Sequence, residues 1–151
     1  MDRKKLGEFS SVVCVKAIIT GMEDMLGEQA TAIALTNAGK IRGRGVARDL
    51  ALGDEDQLHE LAPRLDTLLG QQGTRLCIVD VVERDGNEYV ARTRETICST
   101  GEAEGSARKC TYTLGVVWGV LETLLACRLR GRHTESVLRG GTHDVFRFER
   151  L

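Results

Sequence analysis

The chain of 151 residues holds one proline, one tryptophan and three histidines, and aromatic side chains make up 4% of it. With so few aromatics the core has to be mainly aliphatic, and with one proline few elements can be broken by that residue. Long apolar runs are missing too: nothing approaches the roughly 20 consecutive apolar residues that a membrane-spanning helix needs. Neither sign of charge dominates. Against 21 lysines and arginines stand 22 aspartates and glutamates, for a net charge of -1, which gives no driving force toward nucleic acid or an anionic membrane. The five cysteines at 14, 77, 98, 110 and 127 are odd in number, and no two lie two or three residues apart. Neither a disulfide framework nor a structural zinc pattern is visible in that spacing. Cys14, Cys77 and Cys127 sit in apolar runs and are expected to pack as small core residues. The charged N-terminus lacks a signal-peptide pattern, so a soluble cytoplasmic protein is expected. Nucleophile elbows, phosphate loops and metalloprotease patterns are also absent, which argues against an enzyme.

What the chain does have is enough length for about one domain, residues 1–151, able to bury roughly 70% of its unfolded surface. Apolar residues from Phe9 to Leu26 recur at helical spacing, with Gly27 placed as a cap and strand as an alternative for Val12 to Ile19. Ala30 to Thr36 and Lys40 to Ala47, around Asn37-Ala38-Gly39, read as a hairpin. Asp54 and Gln57 resemble a capping box ahead of a helix through Leu58, Leu61, Leu65, Leu68 and Leu69, which Pro63 is expected to kink or restart. Arg75 to Glu83 alternates, with Leu76, Ile78 and Asp80 on one side and Cys77, Val79 and Val81 on the other. Asp85-Gly86 then turns the chain into Glu88 to Cys98. Ser99 to Lys109 has the composition of a mobile loop. A helix from Cys110 to Cys127 follows, then Thr134 to Leu138, a turn at Gly140-Gly141, and Val145 to Leu151. Three helix–hairpin units predict an α+β fold with helices packed on an antiparallel sheet.

The helix after Cys110 carries two glycines one turn apart, Gly115 and Gly119. Each costs about 1 kcal/mol relative to alanine, so the pair suggests close backbone approach to the sheet, a second subunit or a ligand. Trp118 lies between them. A tryptophan beside glycine gaps is either core or the wall of an apolar pocket.

Cys110-Thr-Tyr-Thr-Leu-Gly115, Gly119, Glu135 and the ending Phe146-Arg147-Phe148 together resemble the vinyl-reductase-type (four-vinyl reductase) domain. That family is related to phenol-sensor domains of bacterial regulators and to TRAPP vesicle-tethering subunits. The resemblance is carried by the last 40 residues or so, and it implies a small-molecule-binding domain. It also implies a zinc-binding hairpin of the form Glu-x-x-Cys, seven residues, Cys-Arg-Phe, completed by a cysteine near the preceding helix. This chain keeps Glu135 and Arg147-Phe148 but has Leu138 and Phe146 where the hairpin cysteines would fall. Glu135 and Cys110 alone cannot hold a four-coordinate zinc. His133 and His143 flank the hairpin and offer nitrogen donors, but turn histidines are more often solvated. No metal is therefore expected, and apolar packing of Leu138 and Phe146 is expected to clasp the hairpin instead.

The expected function is non-catalytic binding of an apolar small molecule between the Cys110–Cys127 helix and the sheet. Tyr112, Leu114, Val116, Trp118 and Leu121 would line the pocket, with the Tyr112 hydroxyl as a polar anchor. A homodimer acting as sensor or carrier through a protein partner is implied. The alternatives are a dimeric interaction module with a filled core and, last, an accessory tetrapyrrole enzyme, for which no acid–base pair is present. Lys40, Arg42 and Arg44 read as a solvated basic strand edge rather than a phosphate site, and His59 as an exposed helix residue.

Overall fold

The computed structural model describes residues 11–51 and 58–151. The Asp54–Gln57 capping box and Phe9 lie outside that range. Within it run α1 (Val12–Leu26), α2 (Glu28–Asp49), α3 (Leu58–Leu69), β1 (Ile78–Asp85), β2 (Glu88–Arg94), α4 (Thr111–Leu124), β3 (Leu129–Glu135), a 3-10 turn (Val137–Arg139) and β4 (Asp144–Arg150). The four strands form one antiparallel sheet in the order β1-β2-β4-β3. The fold is α+β with helices packed on a sheet.

The second unit follows the expected pattern. Leu58, Leu61, Ala62, Leu65 and Leu69 bury one face of α3, and the helix runs through Pro63 on the exposed side. In β1 the expected alternation slips at a bulge between Val79 and Val81, so Val79 and Val82 are buried while Val81 is half-buried. A bulge adds one residue and shifts the phase of everything after it.

The first unit departs from expectation. Residues 30–47 are not a hairpin but most of α2, a single helix. Asn37-Ala38-Gly39 reads as a turn only in isolation; here Gly39 and Gly43 lie one helical turn apart on the side that meets α4. A methyl group at Gly39 would come within 3.0 Å of the Tyr112 carbonyl and the Gly115 Cα, and one at Gly43 within 3.0 Å of Val116 O and Val120 N. The reverse holds for Gly115 against Thr36 and for Gly119 against Lys40. Two glycine pairs thus let the α2 and α4 backbones touch. The close approach expected of Gly115 and Gly119 is real, but its object is a helix rather than the sheet. Dispersion attraction between two backbones packed this closely offsets the helix cost of the four glycines.

The third hairpin starts earlier than expected. β3 takes in the arginine-rich segment after α4, because Gly131 faces inward and makes room for Trp118 and Phe148. Phe146 and Phe148 on β4, Tyr89 and Ala91 on β2, Val116, Val117, Val120 and Leu121 on α4, and the buried leucines of α3 share one apolar core. The other face of the sheet is charged, with Arg147 paired to Asp85 at 2.9 Å and to Glu88 at 3.2 Å, and Arg94 paired to Asp80. No described helix is long and apolar enough to cross a membrane.

Candidate functional site

Of the five residues expected to line a pocket, Val116 and Leu121 are fully buried in the shared core, and Leu114 is nearly so. Trp118 packs edge-on against Phe148, with ring centroids 6.2 Å apart, and its Nε1 donates to Glu122 Oε1 at 3.0 Å. Lys40 lies 4.2 Å over the same ring and pairs with Glu122 at 2.9 Å. Lys40 therefore sits on a helix against α4, not on a solvated strand edge. Tyr112 is half-buried, and that burial raises its phenol above the ordinary value. The space between α4 and the sheet is filled by these side chains together with the phenylalanines of β4.

A cleft opens instead on the other side of α4. It has a volume of about 530 Å³ and is bounded by α1, α2, the 99–109 segment and the start of α4. Ile19, Ala32, Leu35 and Ala107 give it apolar wall, Cys98 and Thr111 border it, and Glu23, Glu28, Arg108 and Lys109 supply charge. None of the five expected residues lines it.

The 99–109 segment, read as a mobile loop, is tied down at several points. Gly105 N donates to Leu138 O at 2.6 Å, and Arg139 Nη1 reaches Ser106 O at 3.0 Å and Arg108 O at 3.2 Å. Arg108 in turn holds Glu23 of α1 through two hydrogen bonds at 2.7 and 2.9 Å. Lys16 of α1 bonds the Cys98 carbonyl at 3.2 Å and the Glu102 carboxylate. Through these bonds α1 turns Lys16 and Glu23 inward.

Beside the cleft, Cys110, His133 and Asp144 come together, one donor atom from each lying within 4.8 Å of the others. Cys110 is the N-cap of α4, His133 lies on β3 and Asp144 begins β4, opposite Thr93. Asp144 Oδ2 accepts from Thr96 Oγ1 at 2.8 Å and Ser99 Oγ at 2.9 Å, and Oδ1 accepts from Ser136 Oγ at 2.8 Å. Burial alone would push the Asp144 carboxyl up; His133 and the hydroxyls of Thr96, Ser136 and Ser99 outweigh it and hold the group well below the usual carboxylate range. The Cys110 backbone N–H donates to His133 Nδ1 at 3.3 Å, which fixes the ring. The Cys110 thiol, in contact with Cys98 and buried, is raised, while Cys98 is lowered by Cys110 and by the Thr113 and Tyr112 backbone N–H groups at the start of α4.

In sequence Cys110 and His133 are visible as donors and His133 reads as a solvated turn residue, whereas it lies on β3 with its side chain buried; the sequence missed Asp144, whose partners come from separate segments. Glu135 is exposed, and His143 faces Asp80 at 3.3 Å, so neither joins the cluster. Leu138 and Phe146 are buried. His59 is exposed and lies 3.7 Å from Glu60. Among the cysteines expected in the core, Cys77 is buried and burial pushes its thiol up, but Cys14 is exposed and Cys127 half-buried. The difference follows from position: Cys14 lies on the outward side of α1, and Cys127 falls past the end of α4.

No family model matches the chain, and no curated protein does. Solved structures share the fold, and two of them illustrate the likeness. One is the phenol-responsive sensory domain of the transcription activator PoxR with phenol, at a TM-score of 0.72 and 15% identity, covering 94% of this chain and 75% of that one. The other is trafficking protein particle complex subunit 3 from Naegleria fowleri, covalently bound to palmitic acid. It aligns at a TM-score of 0.59 and 15% identity, covering 93% of this chain and 92% of that one.

Proposed function

We propose that the protein is a non-catalytic small-molecule-binding domain of the vinyl-reductase type, working as a sensor or carrier through a protein partner. The observation that carries this reading is the cleft of about 530 Å³ between α1, α2 and the 99–109 segment, a size suited to a small organic ligand. Its apolar wall and charged rim favour a ligand with an apolar body and one polar end. Two structures that share the fold hold phenol and palmitic acid, and both molecules have that character. The seat proposed here is the cleft rather than the filled space between α4 and the sheet.

Native mass spectrometry of the purified protein, followed by calorimetric titration with phenols and fatty acids, tests the reading. Binding of one equivalent, weakened at least about tenfold (about 1.4 kcal/mol) by Ala32→Trp, supports it. If neither class binds and no small molecule co-purifies, the cleft is not a ligand site.

A dimeric interaction module is the second reading, and the surface of α1 favours it. Val13 is 79% and Met25 83% exposed, and Ile18 and Leu26 are exposed beside them, while Lys16 and Glu23 point inward. Ile33 and Ile41 on α2 are exposed as well. An apolar outer surface of this kind is costly in water and is relieved by a second copy. Ligand binding and dimerisation are compatible, and the partner is sought on that surface.

A further inference from the structure

We propose that Cys110, His133 and Asp144 bind a zinc-type divalent cation, with a water molecule completing four-coordination. This site is independent of the cleft reading and stands or falls without it.

The donor chemistry comes first. Thiolate, imidazole and carboxylate are the three ligand types that zinc accepts, at roughly 2.0–2.3 Å from the metal. Tetrahedral ligands at those lengths lie about 3.3–3.8 Å from one another. The set here already falls within 4.8 Å, and its His133–Asp144 edge measures 3.2 Å. A small contraction closes the three groups onto one ion.

The second observation is an unmet need. The His133 side chain is 1% exposed, and its Nε2 makes no hydrogen bond. Asp144 Oδ1 lies 3.2 Å from it, the one acidic group paired with this ring among the described residues. Asp144 itself is fully buried, and no lysine or arginine among the described residues forms an ion pair with it. A buried carboxylate calls for a positive partner. A cation between Asp144 and His133 Nε2 meets both needs together, with the ring proton moved to Nδ1 and the 3.3 Å contact from the Cys110 N–H given up.

The surroundings fit as well. Thr96, Ser99 and Ser136 orient the carboxylate from outside, as the outer partners of metal ligands commonly do. Cys98, which borders the cleft, lies outside the three-residue cluster, so the fourth position falls to water. The ligand set differs from the one the sequence resemblance implied. Glu135 is exposed, Leu138 and Phe146 offer no donors, and only Cys110 is common to both.

Elemental analysis of untagged protein expressed with zinc, together with cobalt(II) titration of the metal-stripped full chain, tests the proposal. The expected result is one equivalent of metal and an intense near-ultraviolet thiolate-to-cobalt band, both reversed by a chelator. Cys110→Ser should abolish the band, and Asp144→Asn should abolish stoichiometric binding. Ser136→Ala should weaken affinity on the order of 10- to 100-fold, and Glu135→Ala should leave it unchanged. If wild-type protein of native circular dichroism binds no metal and gives no thiolate band, the three residues are a metal-free polar clasp and the proposal fails. It fails equally if binding survives both Cys110→Ser and Asp144→Asn, or is lost in Glu135→Ala. The wild-type cobalt spectrum decides the matter even where a variant does not fold.

Discussion

At Gly43 and Gly115 the space for a side chain is taken by the backbone of another helix. Alanine is the better helix former by about 1 kcal/mol, so on an isolated helix either substitution would stabilise. Inside this crossing the added methyl overlaps backbone atoms that have no rotamer to move into. Overpacking of that kind costs about 1–3 kcal/mol and outweighs the propensity gain. Gly43→Ala and Gly115→Ala are therefore expected to lower the Tm by up to roughly 8 °C in a thermal melt, whereas Gly45→Ala, whose methyl would meet only the tip of Arg42, should leave it unchanged or raise it. Gly131→Ala should also destabilise, because its methyl would meet Trp118 and Phe148 at 2.7 and 2.9 Å. The sequence announced Gly115 and Gly119 by their spacing in a bulky helix. It gave no such notice of Gly39, which beside Asn37 has the look of a turn.

At the scale of elements, α1 is fastened by buried Ile19 and by charge: Lys16 to Glu102, and Arg108 to both Glu23 and Glu102. The hydrogen bond from Lys16, together with the nearby Arg108, lowers the Glu102 carboxyl below its ordinary value against the opposing effect of burial. A carboxyl lowered on folding adds stability above its unfolded value, about 4.3, and loses it as pH falls through the folded value. Hydrogen exchange of α1 amides, corrected for intrinsic rate, should show protection near pH 7 and its loss in acid before that of β2 and β4. Raised salt at pH 7 should weaken the same protection, since these groups are partly exposed. The elements that could be read from sequence were those with a complete local pattern: the α3 leucines, the β1–β2 hairpin with Asp85-Gly86, and the apolar run of α4. α2 could not be so read, because its helical state rests on contact with α4, far along the chain. The early start of β3 was hidden by arginines that face solvent while Gly131 faces Trp118.

For the molecule as a whole, the candidate sites were harder to read than the fold. Cys110 and His133 were visible as donors, but Asp144 acquires meaning only when Thr96, Ser99, Ser136 and His133 close around it. The cleft is built from α1, α2 and the 99–109 segment, one misread as a hairpin and another as a free loop. Assembly state is the property to measure at this scale. Light scattering coupled to gel filtration should report a dimer, and Ile18→Glu with Met25→Glu should convert it to a monomer with the sheet intact by circular dichroism. A monomeric wild type at micromolar concentration would remove α1 as a self-association surface. The paired glycines of α2 and α4 bear on how the chain reaches its fold. Gly39 and Gly115 are separated by half the sequence, so their crossing has to close a loop of that length, a cost that the local β1–β2 hairpin does not carry. Until then α2, poor in large apolar residues on its glycine side, has little to hold it helical. Folding speed should accordingly follow the closure of that loop, and glycine variants of the crossing would separate its part in the rate from its part in the final stability.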